Sequence, residues 1–142
     1  MSSTKRDGSM TGETDLQRLI KGMKPELMGC DWGYACVRDV PKNLVPFALV
    51  AEAEGLTVIA RQAELAATVL PTGAAIQGPM ARITLTIQSS LEAVGLTAAV
   101  STALAQKGIS ANMIAGWHHD HIFLPAAQAE AAMAALRDLA DA

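Results

Sequence analysis

The chain has 142 residues, 51% of them hydrophobic and 4% aromatic, with a formal net charge of −3. That length bounds it to one domain, or two small units sharing a core, and suffices to bury a core without disulfides or metals. The net negative charge leaves no electrostatic footprint for nucleic acid. No apolar run approaches the roughly 20 residues of a membrane span.

The charge is unevenly placed. Residues 1–24 hold five basic and three acidic side chains, and the remaining 118 hold six basic and eleven acidic. Two cysteines, Cys30 and Cys36, are too few for a disulfide scaffold or a four-cysteine zinc site. The N-terminus has no apolar signal-peptide core. The expectation is a cytoplasmic protein with reduced thiols. Twenty-seven alanines imply closely approaching elements and a core of Leu, Ile, Val, Met and Ala.

Residues 1–12 are polar and aperiodic, which predicts a disordered leader. Thr14 or Asp15 caps a short helix with Leu16, Leu19, Ile20 and Met23 on one face, and Pro25 lies past its end. Trp32 to Val37 reads as a strand, and Asp39 to Pro46 as a loop. Phe47–Ala51 and Leu56–Ala60 form a hairpin around Glu52-Ala53-Glu54-Gly55. Arg61 to Thr68 is a short helix. The Gly- and Pro-rich stretch 71–79 marks a boundary between halves.

The second half is more regular. Residues 82–88 alternate strictly, with Ile83, Leu85 and Ile87 on one face. Ser89 to Gly95 is a loop, and Leu96 to Lys107 a helix stopped by Gly108. Ile109 to Gly116 is a strand with Ile109, Ala111, Met113 and Ala115 on one face. After a turn at 117–120 the chain returns over His121–Leu124. Pro125 opens a last helix that buries Ala129, Ala132, Met133, Leu136 and Leu139. Trp32 and Trp117 are expected in the core or at a subunit interface.

The order β-α-β-β-α over 80–140 and β-β-β-α over 31–68 predicts two related half-size units, 13–76 and 77–142, the first incomplete. The fold class is α+β: ferredoxin-like antiparallel sheets with helices on one face.

The segments 83–87, 89–97 and Gly108-Ile109-Ser110-Ala111-Asn112 resemble an ACT domain. That family follows its first strand with a loop ending in Gly-Leu and enters its second strand through Gly-Ile-x-x-Asn. Residues 52–58 and His119-Asp120-His121-Ile122-Phe123 narrow the resemblance to bacterial stand-alone tandem ACT proteins of unassigned function, over roughly 14–140. The resemblance implies regulatory binding of an amino acid or a similar small zwitterion, output through a separate protein partner, and a homodimer or larger assembly. One fold hosts many activities, so the residues must carry the function.

Two sites follow. The loop Ser89–Thr97 leads into a helix whose free N–H groups at Gly95, Leu96 and Thr97 suit a carboxylate. Ser89, Ser90, Glu92, Val94, Gly95, Leu96, Thr97 and Asn112 line this candidate, and Glu92, Glu52 or Glu54 would pair with an ammonium group. The same residues also make an ordinary strand-to-helix turn. The cluster 117–121 holds all three histidines, and His119 and His121 share a strand face. With Asp120 or His118 they form a candidate divalent-metal site, although two same-face imidazoles are only two ligands. No catalytic motif is present, so the chain is expected not to be an enzyme. A structural adaptor for oligomerisation is the third reading.

Overall fold

The computed structural model describes residues 16–87 and 94–142. The leader expected at 1–12, the caps Thr14 and Asp15, and the loop residues Ser89, Ser90 and Glu92 lie outside the described residues. Residues 16–21 form a helix, α1. There follow β1 (Pro25–Leu27), β2 (Trp32–Val37), β3 (Ala48–Glu52), β4 (Gly55–Arg61), α2 (Gln62–Thr68), β5 (Ile76–Leu85), α3 (Leu96–Gln106), β6 (Asn112–Ala115), β7 (Asp120–Pro125) and α4 (Ala129–Asp141). Among the described residues no helix is long and apolar enough to cross a membrane.

All seven strands join one antiparallel sheet in the order β3-β4-β2-β5-β7-β6, with β1 also on β5. The ten-residue β5 organises it. One edge of β5 pairs with β7 over Met80–Leu85. The other edge takes β2 along Ile76–Met80, with a register shift between Trp32 and Tyr34, and β1 along Ile83–Leu85. The upstream half of β5 thus serves as last strand of the unit β2-β3-β4-α2, and its downstream half as first strand of the unit β5-α3-β6-β7-α4. In that second unit β1 fills the position of the fourth strand of a ferredoxin-like repeat.

Strand alternation separates the sheet's two faces. Ala81, Ile83, Leu85, Ile122 and Leu124 pack under α3 and α4 against Val100, Leu104, Ala132, Met133 and Leu136. Leu16, Leu19, Ile20 and Met23 pack against the same core, so residues 16–27 lie in space with the second half of the chain. A smaller core of Ala35, Val58, Ala60, Leu65 and Val69 sits under α2. Where a first helix would cover this unit, residues 38–47 form none.

Three expectations are revised by tertiary pairing. The boundary stretch 71–79 contains the start of β5, because Ile76 and Gln77 find partners on β2. The strand expected from Ile109 is shorter, since only Asn112–Ala115 pairs with β7; Ile109 precedes it and is buried. Pro125 ends β7, and a 3-10 turn at Ala126–Gln128 precedes α4.

Met23, fully buried in the core of the other unit, provides a test of this intertwining. Met23→Ala should cost about 2–5 kcal/mol. Urea unfolding should register the loss as a lower midpoint of a single transition. A wild-type midpoint would show that residues 16–27 do not dock there.

Candidate functional site

Among the described residues no helix packs on the other face of the sheet. In register, it carries Ala48 and Val50 of β3, Thr57, Ile59 and Arg61 of β4, Trp32, Tyr34 and Cys36 of β2, Gln77, Met80, Arg82 and Thr84 of β5, and His121 and Phe123 of β7. The sheet curls strongly enough that Phe47, just before β3, reaches residues of β7. Its ring centroid lies 5.4 Å from that of Phe123 and 5.0 Å from that of His121. Trp32 and Tyr34 meet Phe123 edge-on at 6.1 and 5.8 Å. Phe123 and Ile59 are buried at this centre, and edge-to-face geometry favours such ring pairs.

Two guanidinium groups lie over these rings. Arg61 stands 4.0 Å from the Trp32 centroid and pairs with Asp31. Gly29 makes room for that pair: at φ +106°, a Cβ there would sit 2.6 Å from Arg61 Nη1. Arg82 lies 4.1 Å from the Phe47 centroid and 5.0 Å from that of Trp32. Burial, and then the charge of Arg61, push the Arg82 pKa down. Both Arg82 Nε and the Tyr34 hydroxyl are buried without a hydrogen-bond partner among the described residues. A hollow of about 350 Å³ adjoins this face, lined by Tyr34, Cys36, Thr57 and Gln77 among others.

The sequence-derived carboxylate site is only partly assembled. Val94 is 85% exposed, Thr97 is exposed, and Leu96 is buried in the core. Gly95 caps α3 at φ +98°, with no side-chain cap among the described residues and no acidic residue in the first turn. The space beside its Cα is occupied by Leu16, whose Cδ2 lies 2.8 Å from where a Cβ at this position would sit. Gly95 thus serves close packing of α1 rather than the close ligand approach expected from sequence. Asn112 is exposed on β6, whereas Glu52 and Glu54 sit at the β3–β4 turn. That turn also lies beyond the start of β5, while α3 follows its end. One chain therefore does not bring Glu52 or Glu54 to the start of α3. Glu52 instead accepts a hydrogen bond from Thr57.

His119 and His121 have different hydrogen-bond partners. His121 Nδ1 lies 2.9 Å from Thr84 Oγ1, and His119 Nδ1 lies 3.3 Å from the Ile87 carbonyl oxygen. Asp120 is in register with Leu85 and Ala115, so alternation puts it on the opposite face from His121. Among the described residues no three His, Cys, Asp or Glu side chains form a group able to hold a metal. Cys30 and Cys36 are free and exposed. Trp32 is core, as expected, whereas Trp117 is 79% exposed, on the turn before β7. Sequence reading missed the Arg61–Trp32–Arg82 cluster. Its available signal was a pair of arginines on the polar faces of strands flanking the buried tryptophan.

Burial, and then the charges of Arg82 and His119, lower the His121 pKa to about 4. A folded-state value below the ordinary 6.5 means that the unfolded chain binds the proton more readily. The associated stability is present above about pH 6.5 and is lost as pH falls toward 4. His121→Gln should therefore show a smaller drop in Tm between about pH 7 and about pH 4.5 than the wild type. Parallel Tm curves would refute the assignment.

Sequence profiles of the ACT domain match residues 81–138 and 11–75. A crystal structure of a Vibrio cholerae protein of unknown function, described as a possible transport protein, is 40% identical. The alignment covers 91% of this chain and 98% of that one, with a TM-score of 0.76. An Agrobacterium tumefaciens protein shares the fold at 12% identity, covering 82% and 87% of the two chains, with a TM-score of 0.68. So does the ligand-free regulatory subunit of Thermus thermophilus aspartate kinase, at 13% identity, 83% and 97% coverage, and a TM-score of 0.65. No curated protein sequence matches. With both halves matched by the same domain and their strands joined through β5, the chain belongs to the ACT-domain family, as two ACT domains in tandem.

Proposed function

We propose that this protein is a regulatory module that binds an amino acid or a similar small zwitterion and signals to a separate protein partner. The tandem ACT architecture supports the regulatory, ligand-binding part of this reading, as does the likeness to an aspartate kinase regulatory subunit across 97% of that chain. The observation that carries the ligand class is the start of α3. Among the described residues this eleven-residue helix has no side-chain cap, and its first turn holds no acidic residue. Its free N–H groups and the positive end of its dipole favour a carboxylate. The ammonium end would be met by an acidic side chain, and Glu52 or Glu54 would reach it from a second copy.

Assembly is part of the proposal. Strand β3 ends the sheet, and Leu49 and Val50 on it are 46% and 47% exposed. An apolar edge strand of this kind invites pairing with another copy. Val50→Lys should lower the mass seen in sedimentation; an unchanged mass would place the interface elsewhere.

A thermal-melt screen against the amino acids tests the function. A ligand at a hundred times its Kd adds about 2.7 kcal/mol, a shift of several degrees for a chain this long. Thr97→Glu puts a negative charge in the exposed first turn of α3, where an acid suits the helix. It should abolish the shift without lowering the ligand-free Tm. No shift with any amino acid would reject the ligand class, and a shift that survives Thr97→Glu would reject the location.

A further inference from the structure

We propose that the uncovered face of the sheet is a second ligand site, which takes a small-molecule oxyanion, carboxylate or phosphate, on Arg82. The anion would rest above the floor formed by Trp32, Phe47 and Phe123. Charge balance points there first. Two guanidinium groups share the Trp32 ring, and Asp31 pairs with Arg61. Arg82 forms no ion pair and no side-chain hydrogen bond among the described residues. Glu26, opposite Thr84 on β1, does not pair with it, and Asp31, near Gly29 across from Arg82, is taken by Arg61. A half-buried cation without a counter-charge is costly, and an anion would relieve that cost.

The unmet donors point the same way. Arg82 Nε and the Tyr34 hydroxyl are buried and unpartnered among the described residues, and native proteins rarely leave such groups unsatisfied. Burial raises the Tyr34 pKa, so its hydroxyl stays protonated and can donate. Arg82 is held between the Phe47 and Trp32 rings, which fixes its planar fork in a geometry suited to an oxyanion. Tyr34 connects this anchor to the hollow of about 350 Å³ beside Cys36, Thr57 and Gln77. The ligand's oxyanion sits on Arg82, and its body extends past Tyr34 toward that hollow. This site lies apart from the start of α3.

Trp32 reports on the site directly. In a Trp117→Phe background it is the sole tryptophan, and Trp117 is exposed enough to replace without disturbing the core. Titrations with inorganic phosphate and with benzoate separate the two oxyanion classes, and sodium chloride at matched ionic strength is the control. Neither probe carries an ammonium group, so the result is independent of the amino-acid reading. At least one probe should give a saturable change in Trp32 emission that chloride does not. Arg82→Gln should weaken it about tenfold or more, and Tyr34→Phe about threefold to tenfold. If Arg82→Gln fails to fold, Tyr34→Phe alone carries the test. No saturable response, a response reproduced by chloride, or one indifferent to Tyr34→Phe and to a folded Arg82→Gln would overturn the proposal. So would a change in assembly mass on Arg82→Gln without anion binding, because a second copy would then occupy this face.

Discussion

Antiparallel pairing along both edges of β5 is the constraint on which the structure depends. A single ten-residue strand cannot shift register for one unit without shifting it for the other. A one-residue slip would turn Ala81, Ile83 and Leu85 out of the core and Arg82 and Thr84 into it. The two ACT units are therefore one sheet, with β2 and β7 both hydrogen-bonded to β5.

The same alternation gives the sheet two unlike faces. The helix side follows ordinary hydrophobic burial, with Leu104, Leu136, Ile83 and Ile122 excluded from water. The other side is closed by curvature: Phe47 bends over Phe123 across the strands between them. That side gathers rings with Arg61, Arg82, Tyr34 and His121, and partial burial perturbs the titration of the last three of these. Polar groups at such a site gain from each partner they find and lose from each they lack.

The units are unequal for a local reason. Asp39 to Pro46 contains Pro41, Asn43 and Pro46, and Asn43 adopts φ +69°. No helix forms there, so Leu49 on the helix-side face of β3 stays exposed, while β5 and β7 are covered by α3 and α4. The second unit gains from this chain's N-terminal segment, whose Met23 and Leu27 join its core.

Local sequence determined much of this protein. The alternation at 82–87, the span Trp32–Val37, the hairpin around Gly55 and the apolar faces of α1, α3 and α4 were legible because each is a periodicity that a single element must satisfy. The Gly-Leu and Gly-Ile-x-x-Asn segments carried the family. Tertiary structure decided the rest. A three-residue strand such as β1 exists only because the edge of β5 is there to pair with it. The upstream half of β5 needed β2 to override its Gly and Pro. Gly95 signalled a ligand approach in sequence, yet Leu16 fills the space beside it. The grouping of Trp32, Arg61, Arg82 and Phe123 joins residues up to 91 positions apart. It depends on sheet order and curl, which are set by long-range pairing that no local pattern encodes.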